Sequence, residues 1–260
     1  MGNPTSVYKV WLLRIAPVIS IGLFILVWML ASRANPEFVA SPIGAIQRLI
    51  EIHHRPINNL NVFGHAWASL RRVLISLSAA SVLGIAFGMS LALNRTFNAI
   101  FGTIFDMLRP IPPIAWIPLI ILWFGIGEFP KQIIVFIACF VSITLNTFAG
   151  VKMVDPLVID VGRAFGVKSW RLILEIIFPS ALPTIFAGFR ISLSAGWMSV
   201  LAAEMIASRS GLGFLITRGM ESLNTAQIII SMIMIGIVGS LLSVLLIYVE
   251  RWLCPWKDSK

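Results

Sequence analysis

Few side chains in this sequence have chemistry to offer: three histidines, two cysteines and scattered acids among 260 residues. His53 and His54 are adjacent and His65 stands near Trp67, but no cysteine or carboxylate joins them at ligand spacing, so no metal site is expected. Cys139 and Cys254 form no Cys-x-x-Cys pair and no disulfide framework, and both are expected to be packing residues. No Gly-x-x-x-x-Gly-Lys-Ser/Thr loop is present to hold a nucleotide; Gly211-Leu212-Gly213 is expected to be a turn. No His, Asp, Glu or Ser constellation recurs at catalytic spacing, so the chain is not expected to be an enzyme. What remains is charge in unusual places. Arg190 interrupts the apolar run Leu182–Ala203, where an unpaired charge costs ~2.5–3.5 kcal/mol on insertion scales. It either faces a path and attracts an anion or snorkels to headgroups. Asp106 and Arg109 can form an i,i+3 pair, while Glu204 and Glu221 are expected to be exposed loop acids, with a gating role as the alternative.

The elements that must position these residues are membrane helices. The sequence is 58% hydrophobic and 12% charged, too apolar for a soluble domain, in which charged residues are typically ~25%. Besides Leu182–Ala203, uncharged runs cover Ile15–Ser32, Val73–Asn94, Ile111–Gly127, Gln132–Val151 and Thr225–Val249. Each is near the ~20 residues that cross a bilayer core. The expected fold is therefore all-α and integral to the membrane, with about six transmembrane helices. Lys9 and Arg14 before the first run resemble a signal-peptide start, but the run is too long and no cleavage site follows, so a retained helix is expected. The net charge of +9 sits mostly between apolar runs, where Lys and Arg meet anionic lipid, so no nucleic-acid partner is expected. Basic residues divide almost evenly between the two faces, with Arg71, Arg72 and Lys131 counted in outer segments, and orientation needs another argument.

Ser41 and Pro42 should open a short interfacial helix with Ile43, Ile46, Leu49 and Ile50 on one face. The third span carries Pro110, Pro112, Pro113 and Pro118 and must be broken or strongly kinked. Such breaks often border transport paths, which makes Pro112, Pro113 and Trp116 path candidates beside Arg190; a kink needed only for packing is the alternative. Between spans four and five, Asp155 can cap a helix that Pro156 starts, with Leu157, Val161, Ala164 and Phe165 on one face before Gly166 ends it. Ser169 should cap a second short helix that Pro179 stops. Two such helices at a turn make a knob suited to contact a partner outside the membrane, or a pair lying on lipid.

At this loop the chain resembles the permease subunits of binding-protein-dependent ABC importers, whose pattern is Glu-Ala-Ala, three residues, Gly, nine residues, Ile-x-Leu-Pro. Here the positions read Asp160-Val161-Gly162, Gly166 and Ile176-Ile177-Phe178-Pro179. Residues 109–125 (RPIPPIAWIPLIILWFG) and 203–215 (AEMIASRSGLGFL) are similar to the nitrate, sulfonate, taurine and bicarbonate branch. The resemblance implies the type I permease fold and a cytoplasmic coupling loop, with both termini cytoplasmic, in a bacterial inner membrane. It implies that Asp160, Val161, Gly162, Arg163, Ala164, Phe165, Gly166 and Pro179 couple to an ATPase, with Arg163, Lys168 and Arg171 as ionic partners or lipid anchors. It also implies two ATP-binding subunits that carry ATP and Mg, a second and most simply identical permease copy, an extracytoplasmic solute-binding protein, and no cofactor on this chain. The expected organisation is an N-terminal helix with an interfacial segment (1–70), a five-helix core (71–252) containing the coupling loop (152–179), and a tail (253–260). The expected function is import of a small anion by alternating access; a stand-alone secondary transporter or channel is the alternative, expected to show ionisable residues deep in several spans.

Overall fold

A computed structural model describes the backbone of residues 4–258 and the side chains of residues 15–256. Lys9, Arg14 and Lys260 lie outside the described side chains. The described chain is helical: α1 (Pro4–Ala34), α2 (Pro42–His54), α3 (Val62–Leu93), α4 (Arg95–Leu108), α5 (Ile117–Phe124), α6 (Glu128–Lys152), α7 (Pro156–Ala164), α8 (Ser169–Arg171), α9 (Phe178–Ala207), α10 (Leu212–Glu221) and α11 (Thr225–Leu253). Among the described residues five helical segments are long and apolar enough to span, and a sixth span results if α4 and α5 count as one bent pair.

Local chemistry sets the helix starts. Ser41 accepts from the Gly44 N–H ahead of α2, Asn61 from Gly64 ahead of α3, and Asn94 from Phe97 ahead of α4, each filling an orphan donor. The Asn61 cap starts α3 eleven residues before the uncharged run, so Arg71 and Arg72 belong to a membrane helix and the expected boundary at residue 70 would cut it.

At the centre of the bundle α3, α6 and α9 pack through small residues. A Cβ on Gly88 would stand 2.6 Å from the Thr144 carbonyl oxygen, and one on Gly188 2.6 Å from Asn146 Cβ. Close backbone approach replaces the hydrophobic drive that lipid removes. Cys139 is buried there against Gly196 and donates its thiol to the Ser192 carbonyl. α1 stands apart, most of its described surface exposed, with Trp28 Nε1–H donating to Ala40 O at 3.0 Å.

Three prolines, at 110, 112 and 113, remove neighbouring donors, and α4 and α5 meet at 90° across a short helical turn, Pro113–Trp116. α4 buries no residue fully and leans on Phe87 of α3 through Phe97, Phe101 and Phe105, with ring centroids 5.5 to 6.3 Å apart.

Pro179 does not stop a second short helix. Ser169–Ala207 is one continuous helical span that includes a π-helical stretch, Leu172–Ile177, in which the Phe178 N–H donates to Ile173 O. Proline has no N–H to return to the Glu175 carbonyl and its ring crowds the preceding turn, so the helix widens instead of ending.

Candidate functional site

The loop between α6 and α9 builds a small protruding hairpin. Asp155 accepts from Leu157 N–H, Pro156 occupies the first helical position, and α7 runs to Ala164. Gly166 then takes φ +73° and donates to Arg163 O, while Val167 donates to Gly162 O, the pair of bonds that closes a helix in a left-handed turn. Gly162 faces inward: a Cβ there would meet Ile176 Cδ1 at 2.6 Å and Leu172 Cδ1 at 2.8 Å, so the small residue seats α7 on the root of α9. The outer face is apolar and bare, with Phe165 82% and Leu157 67% exposed and Val161, Ala164 and Trp170 also exposed. Arg163 pairs with Asp160 at 3.4 Å, and Arg171 lies over the Trp170 ring and reaches Glu175 at 4.0 Å. Phe165, Lys168, Trp170 and Arg171 border a cleft of about 340 Å³. Pro179 is half-buried at the root and is not on this face.

The other expected residues are spread out. Trp116 and Pro113 line a cavity at the elbow between α4 and α5, whereas Pro112 is exposed and not part of its lining. Arg190 is not part of that lining either. Its guanidinium pairs with the buried carboxylate of Glu250 near the end of α11. Asp106 and Arg109 stand 3.4 Å apart.

A charge cluster that the sequence alone did not suggest lies at the end of the bundle opposite the hairpin. Glu204 is no loop acid: it is 1% exposed and accepts from Arg72 at 2.6 Å, Ser69 at 2.8 Å and the Gly213 N–H at 3.0 Å. Arg72 also grips Glu128 through Nε and Nη2, at 2.6 and 2.8 Å, and Lys131 donates to the same carboxylate. The cluster caps α10: Gly211 N–H donates to His65 Nδ1, Leu212 N–H to Ser69 and Gly213 N–H to Glu204. His65 therefore carries its proton on Nε2, donating to Ile57 O. Gly211 has φ +115°, and a Cβ would overlap the Glu204 carboxylate. These residues explain the segment 203–215 as the capped start of a helix. The signal was there: His65, Ser69, Arg72 and Ser76 form a polar stripe at helical spacing in an apolar span. Ionisable residues thus lie in several spans, but they are paired: Lys131 and Glu204 near the ends of their helices, Arg72 at the eleventh residue of α3.

Long apolar helices, a bent pair and a hairpin seated beyond one end define a multi-pass, all-helical membrane protein. Residues 80–258 match the binding-protein-dependent transport system inner membrane component, and the chain belongs to that family. The taurine transport system permease protein TauC of Escherichia coli is 34% identical over 85% of this chain and 81% of its own length. The nitrate import permease protein NrtB of Synechocystis is 30% identical over 97% and 94%, and the bicarbonate transport system permease protein CmpB of Synechococcus elongatus 29% identical over 97% and 95%. In fold the chain is similar to an inward-facing MetNI methionine ABC transporter, with TM-score 0.63 and 19% identity over 72% of this chain and 93% of that one. The chain is an ABC importer permease of the group containing these relatives, a multi-pass inner-membrane protein whose ATP hydrolysis is carried out by a separate subunit.

Proposed function

We propose that the hairpin Asp155–Pro179 is the docking element for that ATPase and that it lies in the cytoplasm, which for six spans puts both termini there as well. The carrying observation is the bare apolar face of Leu157, Val161, Ala164 and Phe165 on a hairpin held stiff from behind by Gly162 and the turn at Gly166. Exposed apolar surface outside the membrane calls for a partner. Asp160 and Arg163 pair at its edge and set the charge around the contact. Gly162 and Pro179 fix its angle, Gly162 by close packing and Pro179 through the π-helical root.

Two permease copies, most simply identical, together with two ATP-binding subunits holding ATP and Mg and an extracytoplasmic binding protein, make the working importer. In this reading the ATPases pull the hairpins together on binding ATP, and the bundles rock as rigid bodies between the two openings. The five-span core from α3 to α11 carries transport; α1 and α2 are an accessory element, a reading supported by the sparse packing of α1. The bent pair, with Pro113 and Trp116, borders the path. The cargo is a small anion of the sulfonate, taurine, nitrate or bicarbonate kind, a reading supported by what the relatives are named for.

ATP-driven uptake by the complete importer in proteoliposomes tests the docking role. Phe165→Asp should lower uptake and the yield of ATPase that co-purifies by at least tenfold. Wild-type levels of both would contradict it.

A further inference from the structure

At the elbow of the bent pair a cavity of about 390 Å³ opens between Phe105, Arg109, Pro113 and Trp116 on one side and Val141 and Ser142 of α6 on the other. α6 rises ~1.5 Å per residue, which puts Val141 roughly 20 Å along a helix of roughly 37 Å, at mid-depth in the membrane. The walls are almost wholly apolar. Ser142 donates to Ala138 O on its own helix, so Arg109 is the one charge on the rim. Arg109 is poorly satisfied: its side chain touches Asp106 at 3.4 Å, both groups are exposed, and its guanidinium makes no hydrogen bond among the described residues. Arg72 shows what a structural arginine looks like in this chain, with its guanidinium shared between Glu128, Glu204 and Ser210.

A volume of this size falls in the ~300–1,000 Å³ range of small-molecule pockets, in which apolar walls hold the body of a ligand and a few polar groups fix its orientation. A bare inorganic oxyanion would satisfy Arg109 and leave Phe105, Trp116 and Val141 without contact. We propose that the elbow cavity is a ligand site for a small organic monoanion of the sulfonate or carboxylate kind, its charged head on Arg109 and its apolar body against Trp116, Phe105 and Val141. This rests on the reading of the chain as an anion permease and narrows the cargo to anions with a hydrocarbon body.

The permease–ATPase complex, purified in detergent, is titrated with hexanesulfonate, with nitrate and with uncharged hexanol while thermal unfolding is followed. Hexanesulfonate should raise the melting temperature saturably, and nitrate and hexanol should not. Arg109→Gln should weaken the hexanesulfonate Kd at least tenfold, Arg109→Lys should restore part of it, and Val141→Trp, which fills the cavity from a half-buried position, should abolish the shift. Ile137→Trp, one turn away on the same wall, serves if Val141→Trp does not fold. Equal Kd values in wild type and Arg109→Gln, an equal response to nitrate or hexanol, or no saturable shift in wild type would overturn the proposal. Failure of the permease reading has a different signature: wild-type complex that neither retains ATPase nor accumulates solute with ATP.

Discussion

Arg72 and Glu204, 132 positions apart, meet at 2.6 Å in the interior of the bundle and tie α3 to the end of α9. Removing one member of a buried pair leaves the other uncompensated, at a typical cost of ~3–5 kcal/mol. Glu204→Ala should therefore sharply reduce folded yield and melting temperature, measured by size-exclusion fluorescence, and Arg72→Met/Glu204→Met should recover part of the loss. Equal stability of Glu204→Ala and wild type would remove the pair from the account.

The start of α10 gives a sharper geometric test. Gly211→Ala puts a methyl group into the Glu204 carboxylate and forces a left-handed φ on alanine. The expected loss is at least ~2 kcal/mol. Gly236→Ala, where nothing stands within 4 Å, is the control and should be close to neutral in thermal unfolding.

Gly162 distinguishes seating from contact. The atoms that a Cβ would meet are the ends of flexible Leu172 and Ile176 side chains, so Gly162→Ala should be accommodated by a small shift, whereas Gly162→Leu should lift α7 from the root. Uptake should be kept to within about twofold in the first and fall at least tenfold in the second, with comparable membrane levels of protein. If both transport alike, the seating argument fails.

Arg190 needs a double substitution to interpret. Arg190→Gln removes the guanidinium that pairs with the buried Glu250 carboxylate and should lower protein level by itself; Arg190→Gln/Glu250→Gln, which removes the charge as well, should recover part of it. Uptake per folded complex in the double variant then reports on the path: a value near wild type assigns Arg190 to structure alone, and a large loss at normal protein level assigns it a transport role.

The elements that could be read directly were those whose causes are local. Asp155, Pro156 and Gly166 define α7 within a dozen residues, and Pro110, Pro112 and Pro113 announce the elbow without reference to the rest of the chain. The readings that failed depended on partners far away in sequence. Glu204 looks like a loop acid until Arg72 and Ser69 are placed beside it, and Arg190 looks unpaired until Glu250, sixty positions on, comes alongside. Pro179 misled for a different reason: proline usually ends a helix, but a π-helical turn absorbed it here because Leu172 and Ile177 were already buried under α7 and the bundle.

The central claim is that the hairpin docks on a nucleotide-driven subunit. Phe165→Cys, introduced into a permease in which Cys139 and Cys254 are replaced by serine, can be cross-linked with a short bifunctional maleimide in inverted membrane vesicles containing the co-expressed ATPase. The account predicts a permease–ATPase adduct that forms from the cytoplasmic side and changes in yield when ATP is added. An adduct absent in inverted vesicles, with the introduced thiol labelled only from the opposite face of the membrane, would contradict it.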